Sequence, residues 1–272
     1  MKNHKKILNY LLLLLLALIF IFPFYWMLVT SFKTRSETLL FPPTMWPTKF
    51  QFENYVTAWE SGPFIQYTIN SIISSLAIVV LQLLTCIPAA YAYSRYQFLG
   101  KKLFFAITII TLMIPAQLIF IPVYLQLSKV QLIDTLWALI LPWSASAFGI
   151  FMIRQAFMQV PKDLINAAEL DHANEFQIMT KIMIPYAKPT IITFSLFSFI
   201  THWNDYFWPL IMTTTAKART LPVGISALRN VEAGVAHNIV MAGNVILVIP
   251  LLIAFYFAQE QIMNAFTFSG EK

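Results

Sequence analysis

Of the 272 residues, 58% are apolar and 11% charged, well under the charged share of about 25% usual in soluble domains, which excludes an ordinary water-soluble globule. The formal net charge of +6 is accounted for by basic residues at the ends of apolar stretches, so it calls for no nucleic-acid partner. A single cysteine, Cys86, lies in an apolar segment, which excludes a disulfide framework and a thiolate metal centre and leaves core packing as its role.

The first apolar stretch covers residues 7–32. Lys2, Lys5 and Lys6 precede its leucine-rich core as in a secretory signal. It runs on through Ile21, Phe22 and Trp26 without a small-residue cleavage pattern, so it reads as a retained spanning helix. In the outer loop 33–68, Pro42, Pro43 and Pro47 imply extended chain and the FENYVTAWE run a short helix. Five further stretches, 69–93, 103–127, 136–158, 190–212 and 238–262, also reach the roughly 20 residues that a helix needs to cross a bilayer. Their apolar residues are contiguous rather than alternating, which excludes a β-barrel. The expected fold is all-α and polytopic: six transmembrane helices in one domain, 1–272, with a core over 66–262. Pro23, Pro88, Pro115, Pro122, Pro142 and Pro250 fall in or near these spans, either as packing kinks or as bends around a water-filled path.

Basic residues set the orientation. Lys2, Lys5, Lys6, Arg95, Lys101, Lys102, Arg154, Lys162, Lys181 and Lys188 share one side if the spans alternate, and that side is the cytoplasm. Lys33, Arg35, Lys49, Lys129, Lys217, Arg219 and Arg229 remain outside, with Glu37, Glu53 and Glu60 offsetting the first loop. Both termini are then cytoplasmic, and the expected location is a bacterial cell membrane.

Residues 161–189, PKDLINAAELDHANEFQIMTKIMIPYAKP, form a polar island between the fourth and fifth spans. Asp163 is expected to cap a helix with Leu164, Ala167, Ala168 and Leu170 as its apolar residues, leaving Glu169, Asp171 and Glu175 in water. A helix lying on lipid headgroups would carry Lys and Arg on its polar face. Carboxylates beside small apolar residues suit a protein groove instead.

The spacing of Ala167-Ala168, Asp171, Ala173, Ile182 and Ile184-Pro185 resembles the EAA loop of permease subunits in binding-protein-dependent ABC importers. WNDYFWPL at 203–210, RTLPVG at 219–224, the Asn70-Ser71 pair, AAYAYSRYQFLGKK and the outer PP and ENY elements extend the resemblance over essentially the whole chain. They are similar to the carbohydrate branch, in particular the smaller maltose-type permease subunit. Two positions depart from the pattern: Asn166 stands where the family has Glu, and His172 where it has a left-handed Gly. Asn and His are among the non-glycine residues that tolerate such a turn.

The resemblance implies an importer whose membrane helices alternate between inward and outward access. It implies that Asn166, Ala167, Ala168, Leu170, Asp171, His172 and Ala173 couple to an ATPase. The implied partners are a homologous permease in a heterodimer, two ATPase subunits that hold the ATP and Mg, an extracytoplasmic solute-binding protein and the lipid bilayer. The chain itself has no G-x-x-x-x-G-K-[ST] loop, so no cofactor is expected on it. His4, His172, His202 and His237 lie on separate segments without ligand spacing, so neither a metal nor a catalytic site is expected.

Trp203, Asn204, Asp205 and Trp208 make the densest polar and aromatic cluster at membrane depth, either as a substrate path or as an interfacial belt. Aromatic faces and amide or carboxylate groups suit a sugar. Asn70 and Gln117 are further candidates, with helix-to-helix hydrogen bonding as the alternative role. A glycerol-3-phosphate importer is the nearest rival reading, although it calls for basic groups that the spans scarcely contain. An ion-coupled secondary transporter needs inverted repeats, and an intramembrane enzyme needs titratable residues converging on Asp205.

The charge distribution makes a topological prediction. In a Cys86→Ser background, single cysteines at Gln97 and Gly100 should label from the cytoplasm and those at Thr44 and Thr215 from outside. Outside labelling at position 100 overturns the six-span arrangement.

Overall fold

The computed structural model describes residues 2–229 and 235–267; Met1 and 268–272, on which the expected location of the two chain ends falls, lie outside the described residues. In order, the chain forms α1 (Lys2–Ser31), α2 (Glu53–Glu60), α3 (Phe64–Arg95), α4 (Lys101–Ile110), α5 (Ala116–Lys129), α6 (Leu136–Ile140) and α7 (Ala147–Phe157). There follow α8 (Lys162–Leu170), α9 (Glu175–Ile178), α10 (Ile184–Tyr186), α11 (Lys188–Trp203), α12 (Phe207–Met212), α13 (Leu221–Ala227) and α14 (His237–Thr267). No strand occurs among the described residues, so the all-α expectation holds.

Three single helices are long and apolar enough to span, Lys6–Ser31, Phe64–Arg95 and His237–Glu260, and three bent helix pairs bring the number to six if each pair is one span. The third expected span is broken rather than continuous: Lys101–Met113 and Ala116–Lys129 meet at 101°. Ile114, which precedes Pro115, is extended at φ −87° and ψ 113°, as the proline ring demands of its predecessor. The fourth bends by 43° between Leu136–Trp143 and Ala147–Phe157. The fifth was expected over 190–212, but α11 begins at Lys188, stops at Trp203 and is followed by the short α12.

The chain divides into two compact units, Met1–Ile65 with Leu221–Pro250, and Gln66–Thr220 with Leu251–Lys272. In the first unit the apolar side chains of α1 are exposed over most of its length. The loop after it is held by Glu37, whose carboxylate accepts from the Thr48 hydroxyl (2.6 Å), the Thr48 N–H (2.8 Å), the Thr34 N–H (2.9 Å) and the Thr34 hydroxyl (3.1 Å). Those bonds, led by the Thr48 hydroxyl, hold its carboxyl down at about 2, so it is ionised at neutral pH. The buried Asn54 of α2, the short outer helix the sequence suggests, donates to Ser31 O (2.8 Å) and Lys33 O (2.9 Å), satisfying carbonyls that the end of α1 leaves without intrahelical partners.

In the second unit the largest core gathers Cys86, Ala90 and Tyr91 of α3, Ile153, Ala156 and Phe157 of α7, Ile191 and Phe194 of α11, and Ile165, Ile178 and Met183 from the polar island. Cys86 is fully buried there, in the packing role expected of it. α7 and α11 approach closely because Gly149 has no side chain: a Cβ built there lies 2.4 Å from the Phe194 ring.

That contact yields a stability prediction. Gly149→Val should lower the thermal midpoint of the purified protein, in line with the roughly 1–3 kcal/mol cost of overpacking, and adding Phe194→Leu should restore part of the loss. An unchanged midpoint for Gly149→Val shows that α7 and α11 do not meet at this position.

Candidate functional site

The helix α8 has two unlike faces. Ile165 is 5% exposed and Ala168 packs beside it against the core, whereas Leu164 is 50% and Leu170 80% exposed, and Asn166, Ala167 and Asp171 are also open. Burial rather than spacing separates the two sets, since Leu164 lies four residues before Ala168. Ala168 is half-buried and packs against the core, so of the apolar residues expected on this helix it turns inward beside Ile165. Asp163 is not the cap: Pro161 holds the N-cap position and no side chain caps the helix.

The end of α8 is a Schellman turn. His172 N–H donates to Glu169 O (3.1 Å) and Ala173 N–H to Ala168 O (2.9 Å), with His172 left-handed at φ 57°. This is the conformation that the departure from glycine implied. The chain then restarts through a capping box, Asn174 Oδ1 accepting from Gln177 N–H and Gln177 Oε1 from Asn174 N–H, each at 2.9 Å. Met179–Met183 form a π-turn just before Pro185, which lacks the N–H that an α-helix would use there.

The loop is tied to the ends of the membrane helices. Arg95 at the end of α3 pairs with Glu169 at 2.6 Å, and the Tyr91 hydroxyl donates to Glu175. Tyr186 donates to Gln159 O at 3.2 Å and Arg154 Nε to Tyr93 O at 3.2 Å. α8 is thus joined directly to the end of α3 through Arg95 and Glu169.

The residues singled out for a substrate path do not converge. Asn70 is buried and donates to Lys217 O and Arg219 O, both at 2.8 Å, a structural clamp. Gln117 is exposed at the start of α5. Trp203 is fully buried, Asn204 is exposed with its amide on Ile200 O (2.9 Å), and Asp205 accepts from the Trp208 N–H (3.3 Å) at the start of α12. Trp208 lines a cavity of about 330 Å³ that it shares with Trp143 and Gln126.

A larger cavity, about 550 Å³, gathers polar residues that sequence reasoning passed over: Gln82, Ser146, Ser198, Thr201 and His202, beside Trp143. Gln82 Nε2 donates to Trp143 O (2.9 Å) and lies 3.5 Å from His202 Nε2, while Ser198 Oγ donates to Gln82 Oε1 (2.7 Å). Trp143 Nε1 is buried without an acceptor. The signal available beforehand was Ser198 and His202 four residues apart in one span and Gln82 in another. No Lys, Arg, Asp or Glu is among the cavity's lining residues. Among the described residues no group of His, Cys, Asp or Glu has the arrangement of a metal site.

Residues 82–266 match the family described as the inner membrane component of binding-protein-dependent transport systems. An arabinooligosaccharides transport system permease protein, AraQ of Halalkalibacterium halodurans, is 32% identical over 94% of this chain and 93% of its own. The sn-glycerol-3-phosphate transport system permease protein UgpE of Brucella abortus is 30% identical, with 94% of each chain covered. Among solved structures, a chain of a bacterial ABC transporter involved in the import of the acidic polysaccharide alginate superposes with a TM-score of 0.82 and 25% identity, covering 96% of this chain and 97% of that one.

The turn at His172 generates a direct test. His172→Gly should leave the thermal midpoint unchanged or raise it by the equivalent of up to about 1 kcal/mol. His172→Val should lower it by about 1–2 kcal/mol, since a branched side chain is poorly accommodated at positive φ. A marked loss in the glycine variant shows instead that the imidazole makes a specific contact.

Proposed function

The chain belongs to the inner membrane components of binding-protein-dependent transport systems, and from that premise we propose that it is a permease subunit of an ATP-driven importer of a sugar or oligosaccharide. It acts as one permease domain over 1–272, with its core at 66–262 and its coupling loop at 161–189. A homologous permease completes the path, and two separate ATPase subunits hold ATP and Mg. An extracytoplasmic solute-binding protein delivers the substrate.

One observation carries the reading: α8 offers Leu164 and Leu170 outward while its opposite face is fused through Ile165 to the core shared by α3, α7 and α11. A groove in an ATPase subunit that grips the outward face would move the helix ends as one body. The membrane cavity then opens to alternate sides. Its aromatic wall and uncharged hydrogen-bonding groups, Gln82, Ser198, His202 and the donor on Trp143, suit the apolar faces and hydroxyls of a sugar.

The likeness to a glycerol-3-phosphate permease favours a second reading. A phosphate would need cations in the path, and this chain's cavity has none, so a partner chain would have to supply them.

Substitution on the two faces of α8 separates docking from folding. Leu164→Asp with Leu170→Asp should leave the permease inserted and thermally stable but reduce co-purification of the ATPase subunits, and substrate-stimulated ATP hydrolysis, tenfold or more. Ala168→Trp, on the inward face, should instead destabilise the permease by about 1–3 kcal/mol. Normal ATPase capture by the double aspartate variant removes α8 as the docking element.

A further inference from the structure

A third cavity, about 690 Å³, opens on the membrane face that carries α8, where the chain leaves α3 and enters α4. Three cations line it from two elements: Lys101 and Lys102 at the start of α4, and Arg154 near the end of α7. No carboxylate lines it. Arg154 is fixed in place, its Nε on Tyr93 O and its guanidinium 4.2 Å above the Phe105 ring. Lys101 is tethered to Tyr96 O at 2.7 Å. Side-chain packing thus holds positive charges together that mutual repulsion would spread. The same cavity has an apolar rim: Leu99 is 99% exposed, and Leu103, Met158 and Phe98 are also open.

Basic residues at helix ends normally need no partner beyond water and the general field of the membrane surface. Here three of them converge on a concave site next to exposed hydrocarbon. An anion with an acyl tail satisfies both features: phosphate oxygens for the cations, alkyl chain for Leu99, Leu103 and Met158. We infer that the pocket between α4 and the end of α7 is a binding site for the headgroup of an anionic phospholipid in the leaflet that faces α8. Because Arg154 lies on α7, whose Ile153 and Phe157 share a core with Ile165, a lipid bound there braces the helix end to which α8 is attached. The assignment does not depend on the transported solute.

The test uses the complete transporter in nanodiscs of phosphatidylcholine containing a minority of phosphatidylglycerol, with retention of each lipid read by native mass spectrometry. The wild type should retain phosphatidylglycerol in preference to phosphatidylcholine. Lys101→Gln with Lys102→Gln should reduce that preference by roughly fivefold for each cation removed, while Lys101→Arg with Lys102→Arg should keep it. Lys162→Gln with Lys181→Gln, which removes the same charge from the same face outside the pocket, should leave it unchanged. An undiminished preference in the glutamine pair overturns the proposal, as does an equal loss in the Lys162 and Lys181 variant, which would assign the effect to the overall charge of the face. Displacement of the lipid by an equal concentration of inorganic phosphate also overturns it, because the site would then be one for free phosphate.

Discussion

The position of α8 depends on the burial of Ile165, Ile178 and Met183 beneath it, in one cluster with Tyr91, Phe157 and Phe194. These side chains sit at the end of the membrane helices, where water is the alternative environment, so each fully buried one contributes about 1.5–3 kcal/mol. The Arg95–Glu169 pair is well exposed on its acidic side, and pairs of that kind contribute about 0–1 kcal/mol. Packing therefore dominates, and the ion pair sets direction rather than strength. Interiors packed to crystal density pass on displacement instead of absorbing it.

A second constraint follows from the breaks in the spans. Where a helix stops inside hydrocarbon, its backbone groups must find other partners. Gln82 donates to Trp143 O and Thr85 to Ser144 O (2.9 Å), and Cys86 reaches Ser146 O at 3.3 Å, so one face of α3 supplies the hydrogen bonds that α6 and α7 lose between them. Ser146 caps α7 by accepting from Gly149 N–H at 3.1 Å. The interrupted backbone and the cavity are thus one feature. Gln82 satisfies a carbonyl and, through the same side chain, anchors Ser198 and approaches His202.

What could be read in advance divides along the line between local and non-local chemistry. The spans were legible because apolar length is a property of contiguous residues, and the left-handed turn at His172 because the resemblance puts a left-handed glycine at that position, a conformation that His tolerates. The facing of Ala167 and Ala168 was not. Both are small and adjacent, and only the burial of Ile165 fixes which one turns inward. Pro115 announced a break, but its 101° angle depends on how α4 and α5 pack. WNDYFWPL drew attention as the densest polar run. The larger cavity instead takes one or a few polar residues from each of several stretches, and no window of sequence shows that convergence.

The distribution of charge bears on what the larger cavity can hold. Lys and Arg in the second unit lie at helix ends and loops, while the lining of the cavity is restricted to neutral hydrogen-bonding groups, one imidazole and hydrocarbon. An isolated ion placed there would lose hydration without a countercharge from this chain, a cost of several kcal/mol. A neutral polyol loses only hydroxyl hydration, a smaller cost than that of an ion. Gln82 already spends both ends of its amide within the protein, whereas Trp143 Nε1 is a buried donor without an acceptor. Its ring stands edge-on to Trp208 at 5.5 Å and tilted to His202 at 5.4 Å. Trp143 lines both membrane cavities, and is thus the residue at which their aromatic walls meet.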